Sequence, residues 1–144
     1  SVMYEKPFAS HYVHSGMIGL DGEKMSKSKG NLVFVSRLIR DGIDPMVIRW
    51  ALLNRDYRND FMWTDGVLAA AENDVAAVRR ALALIECSET DSLIQEIANA
   101  LSHNLDSKRA LAAVLDWSKS AHRGGSHKPG ALSRALDSLL GLAL

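Results

Sequence analysis

Apolar residues recur at helical spacing over most of the chain beyond Leu32. The longest stripe, at alternating steps of three and four, consists of Leu68, Ala71, Val75, Val78, Leu82 and Ile85. Because an α-helix has about 3.6 residues per turn, such a stripe lies on one face of a helix. Shorter stripes follow, made of Leu93, Ile94, Ile97, Leu101 and Leu105, then Leu111, Val114 and Leu115, and finally Leu132, Leu136, Leu139 and Leu140. Stripes joined by short connections predict an antiparallel helical bundle.

Capping residues indicate where the helices begin. Asp44-Pro45 predicts a helix from Met46 to about Asn54, because the carboxylate can accept from a free backbone N–H and proline suits the first turn. Further starts are predicted at Ser36, with an end at Gly42, and at Thr64-Asp65, Asp91-Ser92 and Asp106-Ser107. The stretch from His122 to Gly130 holds three glycines and a proline, which predicts a mobile loop.

The region before Leu32 has a different pattern, with short apolar runs between turn residues. His11 to His14, Met17 to Gly19 and the Asp21-Gly22 pair predict short strands joined by a tight turn. So short a region cannot bury a core of its own, and we expect it to pack on something larger. The predicted fold class is therefore mainly α, with a short β and loop segment followed by an antiparallel helical bundle.

Composition narrows the class of protein. The 144 residues are 47% hydrophobic and 24% charged, which is ordinary globular usage. Lys+Arg and Asp+Glu both number 17, and this balance disfavours a globally basic nucleic-acid binder. The single cysteine, Cys87, permits neither an internal disulfide nor a cysteine-built metal site. With no apolar run near the roughly 18 residues of a membrane helix and no secretory signal pattern, we expect a cytoplasmic location.

A lysine-rich loop from Asp21 to Asn31 carries the candidate chemistry. Lys24, Lys27 and Lys29 stand within six residues, separated by serine and methionine and followed by Gly30. Such a loop presents ammonium groups and hydroxyls to an anion such as a polyphosphate, where they stabilise the charge that develops as pyrophosphate leaves. By composition alone, the same loop is more typical of a solvated basic turn.

The order of residues in this loop, Lys24-Met25-Ser26-Lys27-Ser28, resembles the KMSKS signature of class I aminoacyl-tRNA synthetases. The flanking Asp21-Gly22-Glu23 and Gly30-Asn31 are similar to the same superfamily. Segments that resemble its cysteinyl branch are His14-Ser15-Gly16, Asp44-Pro45, Ile48-Arg49, Asp56-Tyr57-Arg58, Asn104-Leu105-Asp106-Ser107 and Ala110-Leu111. The resemblance covers nearly the whole chain.

Two families of the cysteinyl branch are candidates for this resemblance. Two stretches, Gly16 to Gly22 and Asn31 to Leu38, look more like those of the mycothiol cysteine ligases than those of cysteinyl-tRNA synthetases. Cysteinyl-tRNA synthetases also have a segment that engages the anticodon, and this sequence contains no counterpart of that segment after Gly141. The resemblance implies the C-terminal part of a class I synthetase-like α/β enzyme that uses ATP to activate L-cysteine as cysteinyl adenylate, releases pyrophosphate, and transfers cysteine to the amine of glucosaminyl-inositol. Alternatives are a fragment of a cysteinyl-tRNA synthetase, whose partner is tRNA, and a non-catalytic helical binding module with a relict loop.

The resemblance also implies roles for individual residues. Lys24 and Lys27 would be catalytic and contact the ATP phosphates, with Lys27 stabilising the transition state. Ser26 and Ser28 would shape the loop and donate hydrogen bonds to the nucleotide. Met25 would anchor the loop, or serve simply as a core side chain, which we favour. Ile18 would support the adenine ring, with a buried strand residue as the equally good alternative.

Other polar residues receive structural interpretations. Lys29, just beyond the signature, is expected to be solvated. His11 and His14 would point to opposite faces of a strand and thus form no metal pair. Arg49, Arg55 and Arg58 are expected to form ion pairs with Asp56 or Asp60. A basic run is expected to be a solvated helix face rather than a nucleic-acid interface, and consists of Lys108, Arg109, Lys119, Arg123 and Lys128.

The chain contains no His-x-Gly-His string and no counterpart of the family's zinc ligands. The resemblance places both in an N-terminal catalytic half, the expected partner of this chain, so the 144 residues alone are expected to be inactive. Residues 1–35 would end the catalytic nucleotide-binding domain, 36–64 would form a connecting helical segment similar to a stem-contact domain, and 65–144 would form the C-terminal bundle.

Overall fold

A computed structural model of the protein describes residues 8–121 and 125–144. Its elements in chain order are β1 Ile18–Leu20, β2 Glu23–Lys24, α1 Val35–Arg40, α2 Pro45–Leu53, β3 Phe61–Trp63, α3 Asp65–Leu82, α4 Asp91–Ser102, α5 Ser107–Ser120 and α6 Gly130–Leu140. The mainly α fold class predicted from the sequence is confirmed. Residues 122–124 of the predicted loop, including Arg123 of the basic run, lie outside the described ranges.

The small sheet has the order β2-β1-β3. β1 and β2 form the predicted antiparallel hairpin, with Gly19 opposite Lys24. Its turn residues, Asp21 and Gly22, have φ values of 52° and 81°, and this left-handed pair suits a two-residue hairpin turn. β3 pairs with β1 in parallel and is a strand that the sequence pattern did not predict. The predicted strand at His11 to His14 is wrong, because no strand among the described residues pairs with that segment.

The start of α2 is the predicted Asp44-Pro45 cap. Asp44 Oδ1 accepts from the backbone N–H of Met46 at 2.8 Å, and Pro45 occupies the first turn, where no backbone donor is needed. Asp44 Oδ2 also accepts from Arg79 Nη1 of α3 at 2.6 Å, so one carboxylate joins two helices. The predicted cap at Ser36 is wrong: α1 begins at Val35, with Phe34 at the N-cap position.

Replacing Asp44 with asparagine tests the charge of this cap. The hydrogen bond from Arg79, followed by that from Met46, lowers the pKa of Asp44 below its ordinary value. The charge therefore stabilises the fold above about pH 4, and that contribution is lost as pH falls through the lowered pKa. We expect Asp44→Asn to lower the unfolding free energy at pH 7 by less than about 1 kcal/mol, since the pair is partly exposed.

Denaturant unfolding at several pH values measures this effect. The difference between the wild type and Asp44→Asn should be constant near neutrality and shrink below about pH 4. Asp137→Asn, on the exposed face of α6, controls for the change in net charge. A gap that persists unchanged in acid would contradict the assignment of the effect to the Asp44 carboxylate.

The core lies between the helices and follows the predicted stripes with three exceptions. Ala71, Val75 and Val78 of α3 are buried against the other helices, and the largest fully buried side chains are Trp50, Ile97, Leu111, Leu132, Leu136 and Leu142. Ile85 is 88% exposed and Leu105 is 61% exposed, because α3 and α4 end before them and the helical phase is lost. Leu139, at the edge of the α6 face, is 42% exposed.

The described part of the predicted mobile loop is attached to the bundle. Cys87 and His127 form an isolated antiparallel bridge, with Cys87 N–H donating to His127 O at 2.8 Å and His127 N–H donating to Cys87 O at 3.3 Å. Cys87 is buried, and burial raises the pKa of its thiol. Within the described ranges, none of the helices has the length and apolar character needed to cross a membrane.

Candidate functional site

The lysine-rich loop begins on the hairpin and ends before α1. Lys24 lies in β2 and Lys27 in the turn that follows, and both residues are exposed. Gly30 has a φ of 67°, and its N–H donates to Lys27 O at 3.2 Å. This left-handed residue closes the turn at a place where a side chain would add strain. The loop thus projects from the sheet with its lysines toward solvent.

Asn31 holds the two ends of the loop together. Its Oδ1 accepts from the backbone N–H of Ser26 at 2.8 Å, and its Nδ2 donates to Lys24 O at 3.3 Å. Inside the loop, Ser26 Oγ lies 3.2 Å from Ser28 Oγ and accepts from Lys29 N–H at 3.3 Å. From the sequence, Asn31 is only a residue that flanks the signature, and its role as a clamp is not predicted. The sequence feature that indicates such a role is the tendency of asparagine side chains to form hydrogen bonds with nearby backbone groups in turns.

The three lysines of the loop differ in their partners. Lys29 Nζ forms a salt bridge with Glu23 Oε2 at 2.7 Å across the loop, so the expectation of a purely solvated Lys29 is refined to a half-exposed ion pair. Over the ranges 8–121 and 125–144, neither Lys24 nor Lys27 has an acidic partner within salt-bridge distance. These two ammonium groups can therefore bind an external anion without first breaking an ion pair to any described residue.

Met25 fixes the loop to the body of the protein, as expected for a core side chain. It is half-buried, and its side chain packs against the core and lines a cavity of about 150 Å³ with Val33, Leu38 and Trp63. Met25 N–H also donates to Ile18 O at 3.4 Å. Ile18 lines the same cavity and is 37% exposed, so the alternative of a buried strand isoleucine is wrong. Lys24 and Lys27 thus flank an anchored residue.

Removing the Asn31 clamp should loosen this loop measurably. We expect Asn31→Ala to increase the rate of limited trypsin cleavage at Lys24 and Lys27 by about tenfold, since two hydrogen bonds of modest net strength are lost. Mass spectrometry of the cleaved peptides measures the rate at each lysine. Asn99→Ala, on the exposed face of α4, is the matched control. Equal cleavage rates in the wild type and Asn31→Ala would show that the clamp does not order the loop.

The arginines expected to pair with nearby aspartates do so in one case. Arg58 makes two 2.9 Å bonds to the carboxylate of Asp56. Arg49 instead donates from Nε to Leu140 O at 2.6 Å, which joins α2 to the end of α6. The guanidinium of Arg55 lies 5.0 Å above the ring of Phe61. The expected ion pairs of Arg49 and Arg55 are thus wrong for this structure, because a carbonyl and an aromatic ring occupy those positions.

The remaining candidates do not assemble a site. His11 and His14 are exposed, and the described residues contain no group of three or more His, Cys, Asp or Glu side chains that could hold a metal ion. In the basic run, Arg109 lies 3.8 Å from Glu96 and Lys119 lies 2.8 Å from Asp116. Both pairs are exposed, as on a solvated helix face, but Lys128 lies outside α5, and the interpretation of the whole run stays a prediction.

The chain belongs to the class I tRNA synthetase (C) catalytic domain family, whose family model matches residues 1–73. That match includes the sheet, the lysine-rich loop and the first helices. The lysine-rich loop, named the KMSKS loop for its residue order Lys24-Met25-Ser26-Lys27-Ser28, lies within that match.

Among curated proteins, the chain is similar to enzymes named L-cysteine:1D-myo-inositol 2-amino-2-deoxy-alpha-D-glucopyranoside ligase. It is 52% identical over 143 residues to the one from Streptomyces griseus, a match that covers 97% of this chain and 35% of that protein. It is 50% identical over 147 residues to the one from Nocardia farcinica, covering 100% of this chain and 36% of that protein. The chain thus spans about a third of the length of these relatives, and matches their C-terminal part.

A solved structure supports the fold at lower sequence similarity. The ternary complex of Agrobacterium radiobacter K84 agnB2 LeuRS with tRNA and LeuAMS matches with a TM-score of 0.66 at 20% identity. The match covers 90% of this chain and 20% of the LeuRS chain. The sheet, loop and helical bundle therefore have the arrangement of a class I synthetase fold.

Proposed function

We propose that this chain forms the C-terminal part of an ATP-dependent ligase of mycothiol biosynthesis. The complete enzyme would activate L-cysteine as cysteinyl adenylate and transfer it to the amine of glucosaminyl-inositol, forming an amide, AMP and pyrophosphate. Identities of 52% and 50% to ligases of that name, over nearly all of this chain, support the proposal. ATP use would fit the expected cytoplasmic location. A cysteinyl-tRNA synthetase fragment is the alternative.

One structural observation carries the proposal: Lys24 and Lys27 have unpaired ammonium groups within the described ranges, on a loop clamped by Asn31. In adenylate formation, the cysteine carboxylate attacks the α-phosphorus of ATP, the bond to the bridging oxygen breaks, and pyrophosphate leaves with the electron pair. Negative charge grows on the leaving group during this step. Two ammonium groups placed at the β- and γ-phosphates stabilise that charge, and the effect is larger where water is excluded.

Other loop residues would position the nucleotide. Ser26 and Ser28 would donate hydrogen bonds to the phosphates once the loop closes, since their hydroxyls contact only each other and local backbone in the described structure. The exposed part of Ile18, on β1 beside the loop, would support the adenine ring. Met25 would hold the loop base in its apolar cavity while the lysines move. Lys24 and Lys27 would thus be the catalytic residues of this chain.

The resemblance implies three parts of the chain, and the family model's match over residues 1–73 covers the first two and the start of the third. Residues 1–35 would complete the nucleotide-binding domain, 36–64 would connect, and 65–144 would form the helical bundle. The partner would be an N-terminal catalytic half that binds cysteine and the other side of ATP. The zinc implied by the resemblance does not fit the described residues, which contain no group of three or more His, Cys, Asp or Glu side chains that could hold it.

Pyrophosphate exchange tests the activation step. With cysteine and ATP, we expect the complete enzyme to exchange labelled pyrophosphate into ATP, because adenylate formation is reversible. The 144-residue chain alone should show no exchange above background. Exchange by the isolated chain would contradict the proposal that activation also needs the N-terminal catalytic half. A complete enzyme without cysteine-dependent exchange would favour the non-catalytic helical module.

An acceptor assay separates the ligase from the synthetase. The complete enzyme is given ATP, labelled cysteine, glucosaminyl-inositol and tRNA together. We expect the label in an alkali-stable amide with glucosaminyl-inositol. Label found as an alkali-labile ester on tRNA would favour the alternative function.

A further inference from the structure

A second cleft lies beside β1 and is lined in part by Arg55. It has a volume of about 150 Å³ and is lined by Ser15, Gly16 and Ile18 on one side and by the 55–61 segment on the other. The two sides meet closely: Gly16 N–H donates to Tyr57 O at 2.7 Å, and Met17 N–H donates to Asp60 Oδ1 at 2.6 Å. The cleft is therefore bounded by backbone that is fixed on both sides.

Arg55 stands at the centre of this part of the surface. It lines the cleft and two neighbouring cavities, one of them about 270 Å³ in volume and extending toward α4 and α6. Its Nε is buried and has no hydrogen-bond partner among the described residues, while its guanidinium lies over Phe61 at 5.0 Å. A buried charged donor without a hydrogen-bond acceptor costs free energy. A ligand that accepts a hydrogen bond from Arg55 Nε would remove that cost.

The nearby carboxylates do not satisfy Arg55. Both oxygens of Asp56 accept from Arg58 at 2.9 Å, and Asp60 Oδ1 accepts from Met17. Arg55 makes no salt bridge over residues 8–121 and 125–144. Among the described residues, Arg55 Nε therefore has no acceptor, and a molecule that enters the cleft can supply one.

The mixture of groups in the cleft indicates the class of ligand. The lining side chains contribute one guanidinium, one carboxylate, the amide of Asn59, a tyrosine and a serine. Because Arg58 already neutralises the Asp56 carboxylate, the lining of the cleft offers a polyphosphate only the single guanidinium of Arg55, and not a cluster of cations. Hydroxyl groups both donate and accept, so a ring bearing several of them can match all of these groups.

We propose that the Arg55 cleft binds the polyhydroxylated part of the acceptor. The two adjoining cavities share Leu52, Arg55 and Tyr57, and together reach the size of small-molecule sites, about 300–1,000 Å³. A two-ring acceptor such as glucosaminyl-inositol can therefore lie across Arg55. This assignment rests on the proposed function and makes Arg55 a specificity-determining residue, distinct from the lysines that face ATP.

Steady-state kinetics of the complete enzyme test the assignment. Arg55→Met is expected to raise the KM for glucosaminyl-inositol about tenfold or more, because a charged hydrogen bond to the acceptor is lost. Cysteine-dependent pyrophosphate exchange should stay within about twofold of the wild type, since that half-reaction does not need the acceptor. Arg55→Lys keeps the charge without the planar fork and should raise the KM by a smaller factor. Arg80→Met, on the exposed face of α3, is the matched control.

The possible results separate a failure of the Arg55 assignment from a failure of the proposed function. A KM for glucosaminyl-inositol within twofold of the wild type in both Arg55 variants would overturn the assignment. A parallel loss of pyrophosphate exchange would place Arg55 at the nucleotide and overturn it too, and a lowered affinity for tRNA alone would assign the cleft to the synthetase alternative. If Arg55→Met fails to fold, as judged by circular dichroism, Arg55→Lys gives the decision. A wild-type enzyme without any exchange would refute the proposed function itself.

Discussion

Replacing Lys27 with alanine in the complete enzyme is expected to slow cysteine-dependent pyrophosphate exchange by about 10²- to 10³-fold. The physical reason is that the contact of the ammonium group with the phosphates strengthens as charge develops on the departing pyrophosphate. An interaction made mainly in the transition state lowers kcat far more than it weakens ATP binding. The KM for ATP should therefore change by less than about tenfold. Initial rates over a range of ATP concentrations measure both quantities.

Lys29→Ala is the matched control for this prediction. Lys29 stands in the same loop, but its ammonium group is paired with Glu23 at 2.7 Å. Exposed pairs of this kind contribute little, so Lys29→Ala should keep exchange within about threefold of the wild type. Equal losses of kcat and of ATP affinity in Lys27→Ala would instead show a ground-state binding role.

Replacing Trp50 with alanine is expected to lower the unfolding free energy of the chain by about 3–5 kcal/mol. Trp50 is 1% exposed in the core between α2 and α3, and its Nε1 donates to Asp74 Oδ2 at 3.1 Å. Truncation removes a large apolar side chain, leaves a cavity and takes away the partner of Asp74. Since domains are stable by only about 5–15 kcal/mol, this loss brings the chain close to unfolding at ambient temperature. Urea unfolding followed by far-ultraviolet circular dichroism measures it.

Two further variants serve as controls for the effect of Trp50→Ala on the unfolding free energy. Trp50→Phe keeps an aromatic side chain but loses the N–H, and is expected to cost less than Trp50→Ala. Leu139→Ala, at a position 42% exposed on α6, should change the unfolding free energy by less than about 1 kcal/mol. A loss in Trp50→Ala no larger than that in Leu139→Ala would contradict the assignment of Trp50 to the centre of the core.

Much of the helical architecture could be predicted because its signals are local. The Asp44-Pro45 start of α2 and the Asp106 start of α5 each depend on a side chain that bonds a backbone N–H two or three residues away. The turn at Asp21-Gly22 is likewise determined by residues that accept a left-handed backbone. The KMSKS loop was recognised from residue order alone, because its chemistry is concentrated in five consecutive residues.

Features that depend on distant parts of the chain could not be predicted. β3 forms because Phe61, Met62 and Trp63 lie beside β1 after 40 intervening residues, and neither strand has a strong pattern by itself. The Arg55 cleft exists because the segment around Gly16 packs on the backbone of the 57–61 loop. The apolar stripes predict helix faces for Ile85 and Leu105, but α3 ends at Leu82 and α4 at Ser102, so both residues lie beyond their helices.

Protection of lysines from chemical modification by ATP tests the central claim most directly. The complete enzyme is treated with an amine-acetylating reagent with and without ATP, and acetylation at each lysine is measured by peptide mass spectrometry. Contact with the triphosphate should reduce modification of Lys24 and Lys27 severalfold while Lys108 and Lys119 of α5 react as before. Modification of Lys24 and Lys27 that is unchanged by ATP, in an enzyme shown to bind ATP, would contradict the account of this loop as the phosphate-binding element.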